Sequence, residues 1–395
     1  MHVPEPGARS LLVITNLFPN PLEPQRSTFN ERQLVALAAR TRIRVVCPVS
    51  WLSLLRYRRQ HRLDAVRQCT AWKGVPVSYP TYWYVPRFLG WIRGVLMAGC
   101  ILPSSVRAAR ELDARAVLAT WAYPDGFAGV LVGRLARLPV SIKVHGTDID
   151  LLDGVGWLRR RMTLWALRRA ETVIAVSRYL RDALVARGVD PTRIRVVYNG
   201  IDADTFRLRE ARAMRDELGL PPGRPVVLFV GGLKIDKGIS ELLDPLPLAA
   251  CARRGALLAI IGSGPFASAI PQRVRAAGME SSVRILGQRT PAEIARWMAA
   301  ADFLCLPSYH EGLPNVVLEA LSCGLPVLAT DVGGIPEIVS EANGHLVAPK
   351  RADLLAAGIE RMLARSWDRQ RVRATCPARS WAESAEALDH AVPGR

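Results

Sequence analysis

The chain has 395 residues, half of them hydrophobic, and carries 53 Lys and Arg against 35 Asp and Glu, a net charge of +18. That length suits two globular domains of about 200 residues each better than one core. Seven cysteines without a close pair and six histidines without ligand spacing argue against a disulfide framework or a zinc site, and fit a reducing compartment.

The charge is unevenly shared. Residues 1–200 hold 30 Lys and Arg against 13 Asp and Glu, whereas residues 201–395 hold 23 against 22. An excess confined to one half points to an anionic partner that meets this half alone: nucleic acid, an anionic membrane or an acidic acceptor.

In chain order, Met1–Pro6 lacks the basic flank of a signal peptide, so secretion is not expected. The continuous apolar run Leu11–Thr15 predicts a buried strand, the Pro-rich stretch Asn16–Pro24 a loop, and Phe29–Arg40 a helix. Strand signals recur at Ile43–Cys47, Ala116–Ala119, Val140–Val144 and Thr172–Val176, with helical patterns between several of them, and Arg193–Gly200 closes the half. The apolar stretch Phe88–Pro103 contains Gly90, Arg93, Gly94 and Gly99 and falls short of the ~20 residues that span a bilayer, so it reads as a buried helix.

A second strand series follows at Pro225–Gly232, Leu257–Ile261, Val283–Leu286, Phe303–Leu306 and Val327–Thr330. Such alternation predicts parallel sheets with helices on both faces. Polar, Pro- and Gly-bearing text from Ile201 to Arg224 separates the series. The expected organisation is therefore α/β, with doubly wound domains at 1–204 and 205–378 whose ligand cleft lies between facing carboxyl edges, and a final segment 379–395.

The most informative stretch is Pro307-Ser308-Tyr309-His310-Glu311-Gly312-Leu313-Pro314-Asn315-Val316-Val317-Leu318-Glu319. Gly312 and Pro314 break a strand before a helix begins, and a helix start offers unpaired N–H groups and a positive dipole end to a phosphate. Carboxylates repel a diphosphate, so Glu311 and Glu319 suit neutral sugar and ribose hydroxyls. This stretch resembles the Glu-x7-Glu signature of the retaining nucleotide-sugar glycosyltransferases of the GT-B fold, glycosyltransferase family 4 in particular. The resemblance extends through Val327–Thr330 and the exit Asp331–Glu337, and implies that Glu311 contacts the donor sugar and Glu319 the ribose.

Other segments fit the same family. Gly231-Gly232-Leu233-Lys234-Ile235-Asp236-Lys237-Gly238 resembles its Gly-Arg-Leu-x-x-x-Lys-Gly element, with Lys237 facing the diphosphate and Gly232 standing where Arg is common; Arg26 is the candidate replacement cation. His145-Gly146-Thr147-Asp148 resembles its His-Gly-Ser/Thr-Asp element, which implies that His145 contacts the donor sugar. Asp148 suits either the acceptor or a helix cap. Asn199-Gly200-Ile201-Asp202 is similar to the element ending the first domain, and Gln288 lies where the family meets the nucleobase. Thr15-Asn16, Phe18-Pro19-Asn20 and Glu31-Arg32-Gln33 resemble a branch of cell-surface polysaccharide transferases. The resemblance also implies that the final helix returns to the first domain; Trp381 either anchors that return or belongs to the second core.

The resemblance implies a cytoplasmic hexosyltransferase that retains configuration by a front-face route. Its donor would be UDP- or GDP-linked, with Gly231, Gly232, Lys237, Gln288, Glu311, Gly312, Leu313, Pro314, Asn315, Val316 and Glu319 around it and His145, Lys237 and Glu311 at the reaction. No Asp-x-Asp motif near the diphosphate site calls for a metal. The acceptor side, with Arg26, Asp148 and Asn199, would take a glycan or lipid-linked acceptor. The basic, Trp-bearing stretches Trp51–Arg62 and Trp157–Arg161 would rest on the anionic inner face of the cell membrane. From the residues alone, an inactive GT-B scaffold and a basic nucleic-acid-binding protein stay open, although no nucleic-acid-binding motif is present.

Overall fold

The computed structural model describes residues 9–24, 26–58, 66, 68–84, 92–377 and 379–394. The chain divides into two compact units, unit 1 comprising Met1–Gly200 and Trp381–Arg395, and unit 2 comprising Ile201–Ser380. The sequence places the corresponding boundaries after residues 204 and 378.

Unit 1 contains β1 (Ser10–Ile14), β2 (Arg42–Val46), β3 (Val49–Ser50), β4 (Ala71–Trp72), β5 (Val75–Ser78), β6 (Thr81–Tyr82), β7 (Ala116–Ala119), β8 (Val140–Val144), β9 (Thr172–Ala175) and β10 (Ile194–Val196). Its main sheet runs in the order β10-β9-β8-β7-β1-β2-β5-β4 and is parallel except for the β4–β5 pair. The central strands are buried on both faces, as the apolar runs of β1 and β7 require, and β8 buries Ser141 and Lys143 along with its apolar residues. β5 escapes the sequence reading because Pro76 interrupts it, and a proline is admissible only near a sheet edge, where β5 lies.

Leu11, Val13, Leu118 and Ile174 of the sheet pack with Leu34 and Leu37 of the helix Thr28–Ala38 and with Ala385, Leu388 and Val392 at the chain's end. The final helix Trp381–Ala391 thus belongs to the core of unit 1. Burying Leu388 and Val392 at about 1.5–3 kcal/mol each outweighs exposed pairs such as Arg40–Glu386, worth about 0–1 kcal/mol. Trp381 is only half-buried and stands outside this cluster.

The stretch expected as a buried helix forms the helix Arg93–Glu111, which buries Met97, Ala98 and Ile101; residues 85–91 lie outside the described residues. Among the described residues, no helix is long and apolar enough to cross a membrane.

Two short strands, β11 (Gly200–Ile201) and β18 (Arg379–Ser380), pair where the chain passes between units. Unit 2 contains β12 (Val226–Val230), β13 (Leu257–Ile261), β14 (Val283–Gly287), β15 (Phe303–Leu306), β16 (Val327–Thr330) and β17 (Gly344–Val347), all parallel in the order β14-β13-β12-β15-β16-β17. Phe229, Ile260, Phe303 and Leu328 form its core with Leu248, Leu355 and Ile359 from flanking helices. β17 was not legible in the sequence, since Gly344-His345 hides a four-residue edge strand.

Candidate functional site

In each sheet the strand order reverses next to the first strand, between β12 and β15 in unit 2 and between β1 and β7 in unit 1. Ligands of open α/β sheets bind outside the carboxyl ends of the strands at such a reversal. In unit 2, β12 delivers Lys237 and β15 delivers Glu311 to that place.

The Lys237 Nζ donates to Glu311 Oε1 at 2.6 Å, and Ser308 Oγ donates to the same oxygen at 2.8 Å. Thr330 Oγ1 in turn bonds the Ser308 carbonyl, which ties this cluster to the end of β16. The side chains of Lys237 and Glu311 are 26% and 12% exposed, so the pair is partly desolvated yet reachable.

The loops permit this approach because glycine occupies two points that no side chain tolerates. Gly238, at φ +67°, has its missing Cβ position 1.8 Å from the Pro307 carbonyl oxygen. Gly333, at φ +58°, has the corresponding position 1.6 Å from the Glu311 carbonyl oxygen. The Tyr309 N–H donates to the Asp236 carbonyl at 2.9 Å, locking the two loops together.

The helix Asn315–Ser322 starts directly beyond Glu311, with Pro314 at its N-cap and no side-chain cap on its first-turn N–H groups. Val317, Leu318, Ala320 and Leu321 are buried against the sheet, whereas Asn315, Val316 and Glu319 are half-buried on the remaining face. Positions i, i+1 and i+4 share a side of a helix, so Glu319 and the helix start face the same way. Gly312, Leu313 and Pro314 are buried and shape the turn.

Gly231 and Gly232 begin the turn after β12, where the Leu233 N–H donates to the Ser263 carbonyl at 2.9 Å. Gln288 is exposed beyond β14, at the same carboxyl edge of the sheet. The Gly232 Cβ position meets nothing closer than the Lys234 side chain at 3.8 Å. Lys234, which sequence reasoning passed over, therefore lies beside the place where the family's Arg would sit; its position two residues after the substituted Gly was the available signal. Arg26 instead pairs with Glu23 at 2.6 Å.

In unit 1, β8 delivers His145 and Asp148. His145 packs on Phe29 and Trp121, with ring centroids 5.0 and 5.7 Å away. Neither ring nitrogen has a hydrogen bond of good geometry. Burial first, then the nearby Lys143 ammonium, hold the imidazole well below its usual pKa, while the Thr120 backbone pulls weakly the other way; the ring is neutral.

The Asp148 carboxylate accepts the His145 and Gly146 N–H groups, both at 3.0 Å, and the Ala122 N–H at 3.2 Å. Asp148 lies within the helix Thr147–Asp150, whose N-cap Gly146 has no side-chain cap, so these bonds tie the preceding loop to the Ala122 turn and do not cap its own helix. Burial pushes its carboxyl up to about 6, against the pull of those N–H groups. Asn199 is also turned inward: it is 4% exposed and its Oδ1 accepts from Lys143 Nζ at 2.9 Å.

Sequence reasoning missed Asp125, which reads as an ordinary Pro-Asp-Gly turn. It is fully buried beyond β7, its Oδ2 accepts the Asn16 N–H at 3.0 Å, and its Oδ1 has no hydrogen-bond partner. Burial raises its carboxyl to about 7. Among the described residues, no group of three or more His, Cys, Asp or Glu side chains is placed to hold a metal ion.

Two parallel-sheet α/β units, one with a cation–carboxylate pair beside an uncapped helix start, make up a GT-B fold. The model of glycosyltransferase family 4 matches residues 58–205, and that of the glycosyl transferases group 1 matches residues 224–365. The chain belongs to this glycosyltransferase family.

Among its relatives, the putative teichuronic acid biosynthesis glycosyltransferase TuaC of Bacillus subtilis is 29% identical over 358 residues, covering 89% of this chain and 88% of that protein. The D-inositol 3-phosphate glycosyltransferase of Mycobacterium tuberculosis is 34% identical over 221 residues, 53% of this chain and 45% of that protein. Among solved structures, Anabaena HepE in complex with UDP superposes with a TM-score of 0.73 at 21% identity, covering 97% of this chain and 98% of that one. WaaG, a glycosyltransferase involved in lipopolysaccharide biosynthesis, gives 0.69 at 18% identity over 98% and 100%. The protein is thus a glycosyltransferase, with relatives named for teichuronic acid and lipopolysaccharide biosynthesis.

Proposed function

We propose that the protein transfers a hexose, with retention of configuration, from a UDP- or GDP-linked donor to a glycan or lipid-linked acceptor in cell-surface polysaccharide synthesis. The observation that carries this reading is the Lys237–Glu311 pair at the strand reversal of unit 2, beside the start of the helix Asn315–Ser322. An arriving diphosphate competes with Glu311 for the Lys237 ammonium. Glu311, released from the pair, accepts hydroxyls of the donor sugar, and Glu319 accepts those of the ribose.

As the sugar–phosphate bond breaks, negative charge grows on the diphosphate, and Lys237, Lys234 and the helix N–H groups are arranged to meet it. This division of labour calls on no metal ion. Retention follows from a front-face route in which the departing phosphate takes the acceptor's proton, so that positioning replaces a protein nucleophile. Neutral His145 contributes a hydrogen bond to the sugar without adding charge. The description of HepE as a complex with UDP and the part of TuaC in teichuronic acid biosynthesis support the nucleotide and the pathway class.

The reading places the protein on the cytoplasmic side, with unit 1 resting on an anionic membrane. Exposed Trp83 and Trp157 and the excess of basic residues in 1–200 support this. Of the stretch Trp51–Arg62, residues 59–62 lie outside the described residues.

A screen of UDP- and GDP-sugars for nucleoside diphosphate release, with Glu311→Ala alongside, tests the reading. Release by the parent protein and its loss in the variant are expected; unchanged release in the variant overturns the site. Flotation with vesicles containing anionic lipid tests the membrane part, and equal recovery with neutral vesicles counts against it.

A further inference from the structure

The core of unit 1 contains an ammonium group that the donor chemistry leaves unexplained. Lys143 lies in β8 and is 1% exposed. Its Nζ donates to Asn199 Oδ1 at 2.9 Å and to Gln33 Oε1, both neutral amide oxygens. Gln33 Nε2 donates to Ser384 Oγ at 3.0 Å, and Ser384 Oγ donates to the Tyr198 carbonyl at 2.7 Å. Gln33, Asn199 and Ser384 are 1%, 4% and 0% exposed, so the whole network is dry.

Desolvating an ammonium costs several kcal/mol, roughly, unless its hydrogen bonds are well made, and a methionine would fill the same volume without that cost. Consistent with it, burial lowers the Lys143 pKa to about 7. What the ammonium adds over an apolar group is direction, because its donors fix the acceptors in space.

The elements it joins are informative. Asn199 directly precedes the point where the chain leaves unit 1, at Gly200–Ile201, and Ser384 lies just after its return, at Ser380–Trp381. The two connecting segments pair with each other as β11 and β18. Neither the Asn199 side chain nor the first turns of the return helix are held by the main sheet's ladder. The helix has further ties, most of them distal: Arg9 and Thr41 bond Asp389, Leu388 and Val392 are buried, and within 381–387 Ala385 is buried and Glu386 pairs with Arg40 at the surface.

We propose that Lys143 is a positioning residue that seats both chain connections on unit 1, one directly through Asn199 and the other through Gln33 and Ser384. This goes beyond the donor reading and uses none of its residues.

Amide hydrogen exchange of the full chain tests it, with Lys143→Met removing both Nζ bonds, so that Gln33 and Asn199 lose their common anchor, and Gln33→Leu cutting only the arm to the return helix. In Lys143→Met, exchange rises about tenfold or more at residues 198–201 and 381–387, while 388–391 and strands β1 and β7 keep parent rates. In Gln33→Leu, which leaves the Lys143–Asn199 bond in place, the rise is confined to 381–387. A uniform rise across unit 1, the mark of a merely structural lysine, overturns the proposal, as do parent rates at 381–387 in Gln33→Leu. UDP titrated by calorimetry keeps parent affinity in both variants; absence of UDP binding in the parent would refute the donor reading and leave the exchange result standing.

Discussion

The two strand reversals treat polar groups in opposite ways. In unit 2 a lysine and a glutamate meet at 2.6 Å with part of each side chain in solvent, beside a helix start. In unit 1 the corresponding edge holds Asp125 and Asp148 fully desolvated, with carboxyls raised to about 7 and 6, and a neutral His145. A reachable, charged edge suits a diphosphate, whose own charges would be stranded in a dry one. A dry edge suits uncharged hydroxyl groups.

The sharpest way to break this contrast is to remove the carboxylate of unit 2. Glu311→Ala is expected to lower transfer by about 100- to 1000-fold, since a group acting in the transition state is lost. Steady-state kinetics on the best donor from the screen checks it; a loss below tenfold would put the reacting sugar elsewhere. Lys237→Met is expected to lower turnover by about 10- to 100-fold, the weaker effect because the proposed site also has Lys234 beside Gly232 and the uncapped helix start at Asn315.

Sequence legibility divides along similar lines. β7, β13, β15 and β16 were readable to the residue from short apolar runs between polar breaks, and β8 from the alternation of Val140, Ile142 and Val144 with polar residues. The helix bearing Glu319 was readable because Pro314 and Gly312 punctuate it. Asp125, Asp148, Asn199 and Lys143 were not, because nothing local distinguishes a buried polar side chain from a solvated one; their burial is decided by Asn16, Ala122 and Gln33, which are far away in sequence. Lys234 was missed because attention fell on the absent Arg and not on its spatial neighbour.

A backbone test follows in size. Gly333→Ala forces a Cβ to within 1.6 Å of the Glu311 carbonyl oxygen at a left-handed φ, and is expected to cost about 2–3 kcal/mol in thermal unfolding while lowering activity with it. An unchanged melting temperature would show that the loop under Glu311 yields.

The dry edge makes its own prediction. The Asp125 carboxyl is raised from 3.8 to about 7 on folding, so between those values the folded state binds more protons than the unfolded one, and its contribution to stability declines as pH rises through that window. Asp125→Asn keeps an oxygen for the Asn16 N–H and should flatten the decline, as urea unfolding at pH 5 and pH 7 would show. An unaltered pH slope would contradict the burial account.

The smallest effect is expected at Gly232. Its Cβ position is open, so Gly232→Arg should fold as the parent does and change turnover by no more than about threefold, with Lys234 already supplying a cation there. A large gain would show that Lys234 does not serve.

Calorimetric titration with UDP separates the two edges most directly. The account predicts that Lys237→Met weakens UDP binding by at least about tenfold, or 1.4 kcal/mol, while Asp125→Asn leaves it within about twofold. Parent-like affinity in Lys237→Met, or equal weakening in Asp125→Asn, would contradict the assignment of the donor to unit 2.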